Sequence, residues 1–111
     1  MDYTVKTGFH IQVSLFIAPE KLETFFAAFK PVYDKTIAEP ECIALDVFQP
    51  PDDPGHILLA ETWDADMDWF LKKRASREDF KEYFAIIEPL FVKPREVKIF
   101  NRLLEFRKLE Q

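Results

Sequence analysis

Two apolar runs flank a short segment of turn residues in the middle of the chain, and this arrangement limits the possible folds more than any other feature. The runs extend from about Cys42 to Gln49 and from His56 to Trp63, and each has the length of an ordinary strand. The segment between them, PPDDPG, contains only residues that favour turns. The pattern therefore predicts an antiparallel β-hairpin.

Apolar periodicity predicts one strand and one helix before the hairpin. Every second residue from Phe9 to Ile17 is apolar, which is typical of a strand with one buried face. Pro19 suits the first turn of a following helix. That helix carries an apolar stripe: Leu22, Phe25, Phe26 and Phe29. Pro31 lies inside the helical pattern, where we expect a kink because proline lacks a backbone N–H donor.

Two helices and a strand are predicted after the hairpin. Asp64 or Asp66 can cap a short helix that carries Met67, Phe70 and Leu71. Ser76 and Asp79 have the spacing of a capping box for a longer helix. The apolar stripe of the longer helix is Phe80, Tyr83, Phe84 and Ile87. A last strand is predicted from Glu96 to about Phe106.

The order β, α, β, β, α, β is that of an α+β, ferredoxin-like fold with a four-stranded antiparallel sheet. The length of 111 residues predicts a single domain, residues 1–111. Helices would cover one face of the sheet, while Phe16 and either Phe48 or Phe100 would lie on the other. Apolar side chains on that open face predict a homodimer joined sheet to sheet.

Composition restricts the class of partner. The formal net charge is −5 and the charged residues are scattered, so neither nucleic acid nor an anionic membrane surface is expected to bind. The start of the chain lacks the pattern of a secretory signal, and no apolar run approaches a membrane span, which predicts a cytoplasmic protein. Cys42, His10 and His56 have no metal-binding spacing. The chain has twelve Phe and only two Gly, so large flat side chains must fill the interior or an interface. Such side chains could line a cavity.

Glu61 and Trp63 fall on the same face of the third predicted strand, together with Ile57 and Leu59. Desolvation among apolar neighbours disfavours an ionised carboxylate, which suits a group that takes up a proton. Trp63 could offer an aromatic wall to a planar ligand and an indole N–H to a developing oxyanion. Alternatively, Glu61 pairs with Arg95, Arg102 or a lysine across the sheet, and Trp63 only fills the core.

Three segments together resemble the antibiotic biosynthesis monooxygenase family: EPECIALDVFQPPDDPGHILLAETWDADMDWF, DFKEYF and EPLFVKPREVKIF. The likeness extends from about His10 to Arg102. Its most specific parts are the E-P-x-C entry to strand two, the D-D-P hairpin and the E-x-W ending of strand three. The resemblance implies a homodimer whose two sheets close into an α/β barrel, with a pocket between the helices and the sheet of each subunit. Family members include quinol and polyketide oxygenases without metal or flavin, and a branch that degrades haem.

The chain departs from the family pattern at several positions. Asp79 and Arg74 stand where the family commonly has histidines. The haem-degrading members use an asparagine on strand one, a tryptophan that ends strand three and an axial histidine on the long helix. Here the matching positions hold Val13, Trp63 and Phe84. Without an imidazole to bind iron, haem chemistry is not expected.

These observations lead to one main hypothesis, a monooxygenase without cofactor or metal that oxidises a small phenolic, quinol or polyketide-like aromatic with molecular oxygen. Glu61 would be the base or proton relay, and Trp63 the wall and hydrogen-bond donor. The expected substrate-binding residues are Val13, Tyr33, Trp69, Arg74, Tyr83 and Phe84. For Tyr33, Trp69 and Tyr83 ordinary core packing is the alternative, and for Arg74 a solvated turn between helices.

Two other functions stay open. A decarboxylase, cyclase or isomerase of the same fold would use the pocket without oxygen. A dimer that binds an apolar metabolite without changing it would need no catalytic group at all.

Overall fold

The computed structural model describes residues 8–107, in which four strands and three helices follow one another. The elements are β1 (Phe9–Phe16), α1 (Leu22–Ile37), β2 (Cys42–Phe48), β3 (His56–Trp63), α2 (Met67–Ala75), α3 (Glu78–Ile87) and β4 (Glu96–Asn101). The single-domain prediction for residues 1–111 includes residues 1–7 and 108–111, which lie outside the described part.

The four strands form one antiparallel sheet in the order β2-β3-β1-β4. The predicted hairpin is confirmed, since β2 and β3 pair on either side of the turn segment. In the centre of the sheet, Val13 of β1 lies opposite Leu59 of β3 and Val97 of β4. The predicted α+β class with a four-stranded antiparallel sheet of ferredoxin-like type is therefore confirmed.

The core lies between the helices and one face of the sheet, and it consists of two apolar clusters. The larger cluster joins the sheet to α1 and α3, and its buried members are Leu15, Ile17, Phe25, Phe29, Val32, Ile57, Leu59, Phe80, Tyr83 and Ile87. The smaller cluster joins the other end of the sheet to α2, and its buried members are Phe9, Ile11, Trp63 and Phe70. Because side chains alternate along a strand, β3 contributes to both clusters from one face.

Two predicted details differ from the structure. The capping box is wrong, because Ser76 belongs to the end of α2, where its hydroxyl donates to the Lys73 carbonyl (2.7 Å), and Asp79 binds Arg77. The last strand ends at Asn101 rather than near Phe106. Asn101 pairs with Phe9, the first residue of β1, so the sheet offers no partner strand beyond it.

Helix α1 continues through Pro31 to Ile37, and Asp66 rather than Asp64 caps α2. The cap is a hydrogen bond of 2.8 Å from the Trp69 backbone N–H to Asp66 Oδ1. The kink expected at Pro31 stays a prediction.

Arg77, the residue before α3, joins α3 to the end of α1. Its side chain is only 10% exposed and binds three side chains. The guanidinium donates to Thr36 Oγ1 (2.7 Å), Glu39 Oε1 (3.0 Å), Asp79 Oδ1 (3.1 Å) and Asp79 Oδ2 (2.6 Å). It also lies 4.4 Å from the centre of the Phe80 ring. A largely buried cation with two carboxylate partners thus ties the start of α3 to the end of α1.

We expect Arg77→Ala to lower the free energy of unfolding by about 3 kcal/mol, because it leaves two largely buried carboxylates without their cation. Urea denaturation measures the loss. The control is Lys81→Ala, which removes an exposed ion pair with Glu78 (3.8 Å) and should change stability by less than about 0.5 kcal/mol. Equal losses in the two variants would show that Arg77 has no special role.

Candidate functional site

A cavity of about 70 Å³ lies between the sheet and the helices α1 and α3. Most of its wall is apolar or aromatic. The polar and charged side chains at the wall come from every layer of the fold: Tyr33 and Thr36 from α1, Glu61 from β3, Arg74 from α2, Tyr83 from α3, and Arg95 just before β4. Apolar walls with a few convergent polar groups are typical of ligand sites, although this cavity is smaller than most of them.

Glu61 supplies the carboxylate of this cavity. It is 4% exposed and lies on β3, with Ile11 of β1 opposite it on one side and Leu45 of β2 on the other. Since β3 is an inner strand of the sheet and its other neighbours on this face are apolar, the carboxylate has little access to water. A buried carboxylate in such a place must be paired or hydrogen-bonded.

Two donors from different elements bind the same oxygen of Glu61. The Trp63 indole Nε1 donates to Oε1 at 3.1 Å, and the Arg74 Nη2 donates to Oε1 at 3.3 Å. The other oxygen, Oε2, accepts no hydrogen bond from residues 8–107. Among these residues, every side-chain oxygen that is fully buried has a hydrogen-bond partner. Oε2 therefore keeps accessible surface, and Glu61 lines the cavity. Among the described residues, Oε2 is thus the carboxylate oxygen that has no hydrogen-bond donor.

Arg74 reaches the cavity from the last turn of α2 and is held between two aromatic rings. Its guanidinium carbon lies 4.6 Å from the centre of the Phe70 ring and 4.2 Å from that of the Phe80 ring. Burial lowers the pKa of Arg74, and the charge of Glu61 partly opposes this effect. Arginine nevertheless stays protonated, so Arg74 brings a permanent positive charge to Glu61.

Trp63 has a different place from the one expected of a stacking wall. It is 1% exposed and packs in the smaller core cluster against Phe70 (5.2 Å between ring centres) and Trp69 (6.2 Å). Neither tryptophan is among the residues that line the cavity. The structure places the Trp63 N–H on the Glu61 carboxylate, where it orients this group instead of facing a ligand.

Four other predicted site residues line the cavity: Val13, Tyr33, Tyr83 and Phe84. Burial raises the pKa of Tyr83, and the negative charge of Glu61 raises it further. The Tyr83 hydroxyl is therefore a neutral hydrogen-bond donor at any physiological pH. With Glu61 and Arg74, six of the eight predicted residues meet in one place.

The sequence pattern did not indicate Arg95 as a cavity residue. Its guanidinium lies 5.3 Å from the centre of the Phe84 ring, at the cavity wall, and it makes no ion pair with the residues that the structure describes. Arg95 lies outside the helices and strands, so sequence periodicity does not predict the direction of its side chain. The sequence offers Arg95 as one possible ionic partner of Glu61, but the structure gives that place to Arg74.

No group of three or more metal-ligating side chains that could hold a metal ion occurs within the described residues. Over the same range, none of the helices combines the length and apolar character needed to cross a membrane.

Comparison with known proteins gives consistent matches. The family model described as antibiotic biosynthesis monooxygenase matches residues 8–85. The "Putative monooxygenase GME11364" of Pestalotiopsis microspora is 27% identical over 93 residues, which cover 84% of this chain and 78% of that protein.

Solved structures share the fold at lower identity. A conserved protein from Methanosarcina mazei Go1 has a TM-score of 0.75 and 23% identity, covering 86% of this chain and 92% of that one. The "Putative antibiotic biosynthesis monooxygenase from Nitrosomonas europaea" has a TM-score of 0.78 and 22% identity, covering 92% and 96%.

Cys42 provides a probe of the charge at Glu61. Burial raises the pKa of the Cys42 thiol to about 11 from its ordinary value of 9.0, and Glu61 contributes further to this rise. At about pH 8 the native thiolate fraction is then roughly a hundredfold below the ordinary one, so alkylation by iodoacetamide should be about a hundredfold slower in the native protein than in urea.

Glu61→Gln removes one cause of the raised pKa of Cys42, so this variant should be alkylated faster than the wild type and more slowly than the unfolded chain. A native rate within about threefold of the unfolded rate would contradict the burial of the thiol.

Proposed function

The chain belongs to the antibiotic biosynthesis monooxygenase family, and we propose that it is a cofactor-independent monooxygenase that oxidises a small phenolic, quinol or polyketide-like aromatic with molecular oxygen. The observation that carries the proposal is the Glu61 carboxylate, which is hydrogen-bonded through Oε1 only and lies at the wall of a largely apolar cavity. Such a group can remove a proton from a substrate in a place with little water.

The substrate itself supplies the electrons in the proposed reaction. Glu61 Oε2 takes a proton from an acidic C–H or O–H of the substrate, and the resulting carbanion or phenolate is electron-rich enough to react with oxygen. When a CH₂ group between aromatic rings becomes C=O, one oxygen atom enters the product and the other leaves as water. No external reductant is needed, which is consistent with a site made of a base, a cation and an apolar wall.

Arg74 and Tyr83 stabilise the anion in this mechanism. Arg74 is a permanent cation at 3.3 Å from Glu61, and Tyr83 is a neutral donor on the same cavity wall. Charge that develops on the substrate meets donors that are already in place, and in a dry cavity such interactions are stronger than in water. Trp63 acts through Glu61, because its indole N–H holds Oε1 and so sets the direction of Oε2.

A non-catalytic binder is the second candidate, and the Glu61–Arg74 ion pair favours it. A buried carboxylate paired with arginine is also a common structural arrangement, and it would persist in a protein that only holds an apolar metabolite. Recovery of the bound ligand after exposure to air distinguishes the two functions, because a binder returns it unchanged.

With a phenolic substrate that the wild type oxidises, Glu61→Gln should lower the rate of oxygen uptake by about a hundredfold or more. General bases contribute that much to catalysis. An oxygen electrode measures the rate. The matched control is Glu82→Gln, an exposed residue of α3, which should keep the wild-type rate. An unchanged rate of oxygen uptake in folded Glu61→Gln would show that Glu61 is not the base. Turnover of the substrate without oxygen would show that the protein is a decarboxylase, cyclase or isomerase instead of an oxygenase.

We also propose that the chain forms a homodimer through the open face of the sheet, with the two sheets closing into a barrel. This face carries Phe48 and Phe100, which are 52% and 43% exposed in the single chain. Between them lie smaller or polar side chains of the inner strands, such as Ala60 and Gln12, which are adjacent in the register. Exposed aromatic side chains on the open face of a sheet are typical of an interface.

Light scattering at micromolar concentration should give twice the mass of the 13.1 kDa chain. Phe100→Lys should shift the protein toward the monomer, because it places a charge in the proposed interface. Leu71→Lys, which changes a residue of α2 that is 58% exposed, serves as the control and should stay dimeric. A wild-type protein of monomeric mass would refute the dimer.

A further inference from the structure

The charges at the wall of the cavity do not balance. The charged side chains among its lining residues are Glu61, Arg74 and Arg95. Arg74 pairs with Glu61 at 3.3 Å, whereas Arg95 makes no ion pair with residues 8–107. The wall therefore has one positive charge in excess, although the whole chain has a formal net charge of −5. In an acidic protein, a local excess of positive charge attracts an anionic ligand to this place rather than to the rest of the surface.

Arg95 forms the mouth of the cavity, the part of its wall that borders solvent. It is an exposed residue and also one of the lining residues, so its side chain meets both water and the cavity. Its backbone immediately precedes β4, whose first residue, Glu96, pairs with Ser14 of β1. Its guanidinium lies 5.3 Å from the centre of the Phe84 ring, which also lines the cavity. The sheet thus anchors the backbone of Arg95, and an aromatic ring lies beside its charge.

The charge of Arg95 reaches the interior of the cavity. Burial raises the pKa of Tyr83 and Glu61 raises it further, whereas Arg74 and Arg95 both act to lower it. Arg95 is therefore close enough to Tyr83 to interact with its hydroxyl, and Tyr83 is only 5% exposed. A group that binds to Arg95 is thus held near the polar side chains of the cavity.

A carboxylate suits this arginine better than other anionic groups. A guanidinium presents its N–H donors in a planar fork that matches the two oxygens of a carboxylate. The single negative charge of a carboxylate neutralises the excess charge at the wall, whereas a phosphate dianion would reverse it. Since Arg95 is exposed, an acidic group bound there keeps part of its hydration and avoids the cost of full burial.

We propose that Arg95 selects the ligand of this protein by binding a carboxylate at the mouth of the cavity. The ligand is then an aromatic acid rather than a neutral aromatic compound. This inference deepens the proposed function, because it adds an acidic group to the substrate class. It rests on that function for the aromatic part of the ligand, while the acidic group follows from Arg95.

Binding of 4-hydroxybenzoate and 4-hydroxybenzamide, measured by NMR titration under argon at about pH 7 and low salt, tests the proposal. The two probes share their shape and their phenol, and only the carboxyl group of the acid is ionised at this pH. The wild type should bind the acid about fivefold more tightly than the amide. Arg95→Gln should remove this preference. Arg95→Lys should retain part of it, because lysine keeps the charge and lacks the fork.

The matched control is Lys81→Gln, which removes one positive charge from an exposed position of α3 that does not line the cavity. It should keep the preference of the wild type. The affinity for the amide should be the same in all four proteins, because only the recognition of charge changes. The proposal is overturned if the wild type binds the two probes equally or binds neither of them. It is also overturned if Arg95→Gln weakens both probes alike, or if Lys81→Gln lowers the preference as much as Arg95→Gln does.

Binding under argon involves no turnover, so its result is independent of the proposed function. A preference that depends on Arg95, together with equal oxygen uptake by the wild type and Glu61→Gln, would keep the carboxylate site and refute Glu61 as the base. Oxygen uptake that Glu61→Gln abolishes, without any preference for the acid, would keep the base and refute the carboxylate site.

Discussion

A carboxylate on the covered face of an inner strand is the constraint on which the rest of this structure depends. Glu61 would be costly to bury without partners, and the fold supplies two of them. One is Trp63, two residues further along the same strand and face, and the other is Arg74, at the end of the next helix. The position of α2 is tied to Glu61 in this way, because its last turn must bring a guanidinium to the sheet.

The aromatic ring of Phe80 extends this arrangement from the carboxylate to the helices. The guanidinium of Arg74 lies 4.2 Å from its centre and that of Arg77 lies 4.4 Å from it. Arg77 in turn binds Glu39 and Asp79, so two arginines three residues apart serve different partners. Arg74 is part of the cavity wall, and Arg77 joins the end of α1 to the start of α3.

The sequence was sufficient for the fold because strand alternation and helix stripes are local signals. The hairpin from Cys42 to Trp63 and the stripe of α3 follow from periods of two and of 3.6 residues. The length of β4 did not follow, since it depends on where its partner β1 begins, and Ser76 could not be assigned because two helices share the turn around it. These are properties of neighbours in space.

The candidate site shows the same division between local and spatial information. That Glu61 and Trp63 share a face was readable from their spacing, whereas the choice of Arg74 over Arg95 as ionic partner depends on how α2 crosses the sheet. Trp63 was expected to face a ligand because tryptophan offers a flat wall. In the structure, the ring of Trp63 is buried in the smaller core cluster, so only its indole N–H contributes to the site.

A base that is already paired with arginine can still take up a proton, because the proposed reaction moves charge without creating it. Before the transfer the negative charge lies on Glu61, and afterwards it lies on the substrate anion beside Oε2. In the proposed reaction the net charge of the cavity is the same in both states, so the charge of Arg74 stays balanced. In the proposed reaction, the ion pair that makes Glu61 tolerable in the core would also stabilise the negative charge as it passes from the protein to the substrate.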